Sequence, residues 1–267
     1  MENAIRSYLL QEDIPLFSFI PLGACRLLRP YLLNREGISE GTVIMMAVPY
    51  ATPDEEGRNI SAYAAARDYH LFFRELFDRL LPALRQNFPR HRFVGFADHS
   101  PIDEVDAAVR AGLGVLGDNG LLLTVAYSSY VFLGEVITDA VLPAQAGELL
   151  TCHHCGACRR ACPVALDKSQ CLSALTQKKG ALTESENTRL AAHPLVWGCD
   201  TCQEACPYTH RAKENGTLYS ALPFFRTERL PHITENSISE MDDAAFSSRA
   251  YAWRGREVIL RNLKIHR

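Results

Sequence analysis

The run Thr42-Val43-Ile44-Met45-Met46-Ala47-Val48 is apolar from end to end between Gly41 and Pro49, the pattern of a buried strand. From Ile60 to Leu81 the apolar positions fall at helical spacing, which predicts a long amphipathic helix with a stop or kink at Pro82. Phe93 to Ala97 reads as a second strand, followed at once by Asp98-His99. Ser100-Pro101-Ile102-Asp103 then has the chemistry of a helix start, with Ser as the cap and Pro in the first turn. That helix continues through Val105, Ala108 and Val109 to the Gly112-Leu113-Gly114 turn. Leu121 to Val125 and Tyr130 to Ile137 predict two more strands, and Asp139 to Glu148 a linker. Beyond Leu149 the rhythm breaks into short helical turns punctuated by cysteines. The pattern therefore predicts an α/β (α+β) domain over residues 1–148 and a small cysteine-bearing domain over residues 149–267.

Bulk properties narrow the function classes. The 267 residues, 47% hydrophobic and 22% charged, suit one large or two moderate domains with a buried core. A net charge of −3 gives no global attraction to nucleic acid or an anionic membrane. Glu2, Glu12 and Asp13 interrupt any leader-like apolar stretch, and no segment approaches the ~18 apolar residues of a membrane span. A cytoplasmic location is expected.

Eight of the nine cysteines lie between Cys152 and Cys206. Four of them form Cys152-x2-Cys155-x2-Cys158-x3-Cys162-Pro163, and Cys199-x2-Cys202-x3-Cys206-Pro207 repeats the ending. Closely spaced thiolates closed by proline point to cubane iron–sulfur clusters. Disulfides fit poorly across two intervening residues, and zinc sites favour pairs separated by a longer spacer. In two-cluster ferredoxins the last cysteine of each run ligates the other cluster. By that rule Cys152, Cys155, Cys158 and Cys206 hold one cluster. Cys199, Cys202 and Cys162 hold the second, and Cys171 is the nearby candidate for its fourth ligand. Cys25 stands apart and reads as a small buried hydrophobe. His153 and His154, between ligands, read as exposed loop residues with the option of tuning a cluster through hydrogen bonds to sulfur.

Residues 1–151 leave room for a domain that holds a substrate or cofactor. No P-loop occurs, and the glycines Gly112, Gly114 and Gly117 follow a helix rather than a strand, so a dinucleotide fingerprint is absent. The stretch from Arg249 to Arg267 is locally basic, a solvated helix face or a contact for an anionic substrate such as nucleic acid.

Several motifs in order carry a family resemblance: Arg67-Asp68-Tyr69-His70, Asp98-His99-Ser100-Pro101, Arg110-Ala111-Gly112-Leu113-Gly114, Phe132-Leu133-Gly134-Glu135, Gly198-Cys199-Asp200-Thr201-Cys202-Gln203 and Arg261-Asn262. Together they resemble epoxyqueuosine reductase, a cobalamin and iron–sulfur enzyme of tRNA queuosine biosynthesis. The resemblance implies a nitroreductase-like cobalamin-binding domain followed by a ferredoxin-like domain with two [4Fe-4S] clusters. It also implies electron flow through the clusters to cobalamin, whose reduced cobalt engages the substrate. Asp98 matches the family's proton donor, and burial beside the cofactor is expected to raise its pKa. Ser129, Tyr130, Ser173, Asp200 and Thr201 match positions near the cofactor. An external electron donor of flavodoxin or ferredoxin type, a tRNA partner, no membrane and a monomeric state follow from the same likeness. The chain departs from the family at Asp118, where a Lys is usual, and at Val115 and Tyr130, where tryptophans are usual. It also reads as a compact member without the C-terminal helical-repeat domain, which opens the choice of substrate. The alternative reading is a two-cluster electron-transfer protein serving a partner enzyme or cobalamin.

Overall fold

The computed structural model describes residues 1–53 and 55–266. The chain divides into two compact units. The first comprises Met1–Pro49 and His70–Cys155, the second Tyr50–Tyr69 and Gly156–Arg267. The division differs from the sequence expectation of a break at residue 148: residues 149–155 belong to the first unit, and an internal excursion of the N-terminal half belongs to the second.

In the first unit, α1 (Glu2–Gln11), β1 (Phe17–Pro21), α2 (Pro30–Glu36), β2 (Thr42–Pro49), α3 (Tyr69–Asn87), β3 (Phe93–Phe96), α4 (Glu104–Arg110), β4 (Val115–Leu116), β5 (Leu122–Leu123) and β6 (Val131–Thr138) follow in order. A four-stranded sheet runs β1-β2-β6-β3, antiparallel at every pairing. All eight residues of β2 are buried, which explains its continuous apolar run. Strand periodicity sorts the side chains onto two faces. Val43, Met45, Ala47 and Ile137 join Leu32, Leu33, Ala107 and Ala108 in one core. On the opposite face Gly134 and Gly95 make room for Phe73 and Phe77 of α3. Glu135 lies opposite Met45 and Phe96 in register, so its carboxylate points into the α4 side of the sheet.

The second unit contains α5 (Ala157–Ala161), α6 (Leu172–Thr176), α7 (Glu184–Ala191), α8 (Thr201–Glu204), α9 (Pro207–Glu214), α10 (Pro223–Arg226), α11 (Glu235–Ser239), α12 (Asp243–Ser247) and α13 (Arg256–Ile265). Among its described residues the extended contacts are isolated bridges, Ile60 to Trp197 and Arg67 to Arg249. Trp197 and Tyr251 are fully buried with Ile60, Ala64, Ala65 and Ile259 around them. The Trp197 indole N–H donates to Tyr63 Oη at 2.8 Å, which satisfies its one donor in the core. Asn262 is equally buried, and its amide donates to Thr176 O at 2.7 Å and Val196 O at 2.8 Å.

Three sequence expectations are corrected here. The helix expected from Ile60 starts at Tyr69, because Ser61 N donates to Trp197 O and Asn59 bonds Ile233 at both its amide atoms. Tertiary pairing outweighs helical periodicity there. The same helix passes through Pro82 and ends at Asn87. The helix expected from Ser100 starts at Glu104, with Asp103 as the cap accepting from Asp106 N at 3.1 Å. The strand expected over 121–125 contracts to β5, paired with β4, and the first strand, β1, has no counterpart in the sequence reading.

The close approach of α3 to the sheet yields a stability prediction. A Cβ at residue 95 would lie 2.6 Å from the Phe77 ring. Gly95→Ala and Gly134→Ala should each destabilise the first unit by about 1–3 kcal/mol through overpacking. Gly23→Ala, where a Cβ meets nothing within 4 Å, should leave the denaturant midpoint nearly unchanged.

Candidate functional site

Asp98 follows β3 directly and holds a left-handed backbone at φ 63°, a conformation that costs a non-glycine residue energy and is retained only where the surroundings enforce it. Its amide donates to Glu104 Oε1 at 3.1 Å. The following turn is held by Arg29, whose guanidinium donates to Ser100 O at 3.0 Å, and by Tyr31 Oη at 3.3 Å from His99 Nε2. Across the turn, His70 at the start of α3 places Nε2 3.6 Å from Asp98 Oδ2. The Asp98 and His70 side chains are 69% and 49% exposed. His70 keeps the Asp98 carboxyl below the usual carboxylate range, which outweighs the opposing effect of partial burial. The sequence expectation of a raised value concerns the carboxyl beside a bound cofactor, where burial would work against His70. His70 was visible as part of a motif, but its partnership with Asp98, across 28 residues of helix and strand, was not.

Beneath Asp98 two acids meet. Glu135 is fully buried, accepts from the Ser100 hydroxyl, and adjoins the Glu104 carboxyl that holds the Asp98 amide. Neither glutamate was a candidate from the sequence, although the alternation along β6 assigns residue 135 to an inward face.

None of the nine cysteines is in a disulfide. Cys25 is buried in the first core, and desolvation pushes its thiol up to about 12, the inert small hydrophobe expected. Cys152 and Cys155 belong to the first unit, and the other six ligand candidates belong to the second. There α5, which carries Cys158 and ends at Cys162, packs against α8, which carries Cys202. Cys171 precedes α6, whose Leu172 and Leu175 form with Leu190 a small core against which Cys199 packs. Cys206 caps α9 ahead of Pro207 at the first helical position. Gly198, at φ 74°, turns the chain into Cys199 where a Cβ would strike Ser61. Soft thiols carried by short helices and helix ends suit iron–sulfur ligation.

The remaining candidates separate by role. Asp200 is 1% exposed and accepts from Arg58 Nη1 at 2.6 Å, from the Ala62 amide at 2.8 Å and from the Ser61 hydroxyl. Its side chain is therefore consumed inside the second unit. Thr201 Oγ1 accepts from Cys199 Sγ at 3.4 Å. Ser173 Oγ lies 3.4 Å from the Gln177 amide donor on α6. Ser129 and Tyr130 are both buried, at the entrance to β6. Asp118, at the charge-reversed position, bonds His154 Nδ1 at 2.6 Å. The basic C-terminal stretch is largely spent internally. Arg249 donates to Glu228 O at 2.6 Å, Arg256 to Ile238 O at 2.6 Å, and Arg261 to Lys178 O and Gly180 O at 2.6 and 2.7 Å. Arg254 stacks on Trp253 at 3.6 Å, and Arg267 lies outside the described residues. No helix among the described residues is long and apolar enough to cross a membrane.

Comparison with known proteins bears on the same residues. The family model described as Epoxyqueuosine reductase QueG, DUF1730 matches residues 39–99, a span that ends just past Asp98. The epoxyqueuosine reductase of Gloeobacter violaceus is 33% identical over 216 residues, covering 77% of this chain and 68% of that protein. That of Listeria monocytogenes is 32% identical over 253 residues, covering 87% of this chain and 64% of the relative. The structure of epoxyqueuosine reductase from Streptococcus thermophilus superposes with a TM-score of 0.81 at 22% identity, over all of this chain and 80% of that one. An epoxyqueuosine reductase crystallised with a tRNA-Tyr epoxyqueuosine-modified stem loop gives a TM-score of 0.80 at 22% identity, over 99% of this chain and 80% of that one. This mixed α/β fold with its cysteine series belongs to the epoxyqueuosine reductase family.

Proposed function

We propose that this chain performs the reaction of its family, reductive removal of the epoxide oxygen of epoxyqueuosine in tRNA. The observation that carries the reading is the solvent-open Asp98–His70 pair at the end of β3, inside the matched segment, in a chain that also carries eight clustered thiols. Opening the epoxide to an alkene consumes two electrons and two protons and releases the oxygen as water. A nitroreductase-like first unit, a second unit ferredoxin-like in its ligand spacing, and the loss of the electron-transfer alternative all follow from this reading.

The residues fit the groups the reaction needs. Two sets of four thiols, Cys152, Cys155, Cys158 and Cys206, and Cys199, Cys202, Cys162 and Cys171, match the donor number of two cubanes. The open side of Asp98 and His70 leaves the acid free to be covered by a large planar group. Cobalamin held there would supply a strongly reducing metal centre for C–O cleavage, and the two clusters would link it to a flavodoxin- or ferredoxin-type donor. Ser129, Tyr130 and the backbone at Asp200 and Thr201 are its proposed contacts, with Ser173 nearby.

Asp98 delivers a proton to the departing oxygen. His70 keeps its carboxyl below the usual range, and burial beneath a bound cofactor would work the other way, toward the protonated form that a proton donor needs. Asp98→Asn should therefore retain both clusters while turnover of an epoxyqueuosine stem loop falls by about 10²–10⁴-fold. Full turnover in that variant removes Asp98 from the role. Anaerobic reconstitution should load about eight irons per chain, and Cys202→Ser should lower that count toward four. Arg58→Ala should cost about 3–5 kcal/mol by stranding Asp200 in the interior, and iron analysis should show poorer loading because Cys199 and Cys202 flank it.

A further inference from the structure

Glu104 and Glu135 have no place in the chemistry above, yet they are the most confined acids next to it. Glu135 rises from β6 into the α4 side of the sheet, and one of its oxygens accepts from Ser100 Oγ. Ser100 Oγ in turn accepts from the Ile102 amide at 3.1 Å, so the hydroxyl proton is committed to Glu135. The other oxygen, Oε2, is buried with no N–H or hydroxyl donor in reach among the described residues. The group that meets the Glu135 side chain is the Glu104 carboxyl, and two carboxyls hydrogen-bond to one another only if a proton lies between them. A fully buried carboxylate oxygen facing a second carboxylate would otherwise face both desolvation and like-charge repulsion.

Cations do not resolve the conflict. Arg29 is bonded to Ser100 O, Arg110 is paired with Asp106 at 2.9 Å, and His70 faces Asp98. The other neighbours, Asp98, Asp103 and the Cys25 thiol, add negative charge or none. Burial and then the charge of Asp98 push Glu104 up to about 7, and burial and then the charge of Glu104 hold Glu135 well above the usual range.

We infer that Glu104 and Glu135 share one proton and act together as positioning residues for Asp98: the shared proton anchors the Glu104 oxygen that takes the Asp98 amide and keeps that residue in its left-handed conformation. Loss of the proton would set two carboxylates against each other and drive Glu104 toward solvent, releasing the amide. The positioning role rests on the reading of Asp98 as the acid; the shared proton does not.

Infrared difference spectroscopy of the cluster-loaded wild-type protein tests the proton directly. A protonated-carboxyl C=O band should persist at about pH 8, where ordinary carboxyls have ionised, and be missing in Glu135→Gln. Stability carries the same sign. Between the unfolded value of about 4.5 and the folded value of about 7 the native state binds the extra proton, so the melting temperature should fall as pH rises through that window, by roughly 5 °C. Glu135→Gln, whose amide donates permanently to Glu104, should flatten the slope. Absence of the band at about pH 8 overturns the shared proton. For the anchor, amide exchange of residues 97–99 at about pH 6 should be up to about tenfold faster in Glu104→Ala and near wild type in Glu104→Gln, which keeps an acceptor oxygen. Wild-type exchange in Glu104→Ala overturns the anchor. With the stem-loop substrate, the alkaline loss of turnover should move upward by about one pH unit in Glu135→Gln with KM unchanged. Absent turnover beside the expected band and exchange would reject the proposed function and leave the pair standing.

Discussion

Asp200 lies in the interior of the second unit, surrounded by Arg58, Ser61 and the Ala62 amide. A buried carboxylate stripped of such partners costs several kcal/mol, so the segment bearing residues 58–62 has to stay where it is. That requirement organises its neighbourhood. Ser61 N and Val196 N each reach across to the other segment, at Trp197 O and Asn59 O. Trp197 closes the core above them, and Gly198 then turns the chain into Cys199. The turn into Cys199 thus inherits its shape from a buried acid, and an Arg→Lys change at residue 58 would lose the forked geometry that serves Asp200, Glu204 and Ile60 O together.

Much of the sheet was legible because its strands obey one rule at a time. β2 is apolar on both faces and buried on both, and β6 keeps its inward acid at a position fixed by alternation. The cysteine spacing was equally plain, since metal chemistry fixes donor type and separation within a few residues. What the sequence hid was non-local. Residues 60–68 show helical periodicity, yet they are spent on pairing with residues 197, 230, 248 and 249. No local window contains that competition. Asp200 between two cluster cysteines likewise looked like a ligand-side residue, whereas its side chain is wholly occupied by Arg58 and Ser61.

The first unit solves the opposite electrostatic problem. Asp98 is open to solvent and partnered by an imidazole, while Glu104 and Glu135 below it are shut away from any cation. One turn of chain therefore juxtaposes an acid that prefers to be charged with a pair that prefers a proton. Environments that push neighbouring carboxyls in opposite directions are a familiar way of dividing acid–base labour within one site.

Arg58 and Asp200 are 142 residues apart in sequence. A ribosome adding about 5–20 residues per second needs on the order of ten seconds to supply the acid after the guanidinium has emerged. During that interval Ile60, Ala64 and Ala65 are without the Trp197 and Tyr251 rings that enclose them. The nascent chain thus carries an apolar stretch whose enclosing rings arrive only with the cysteine-bearing part.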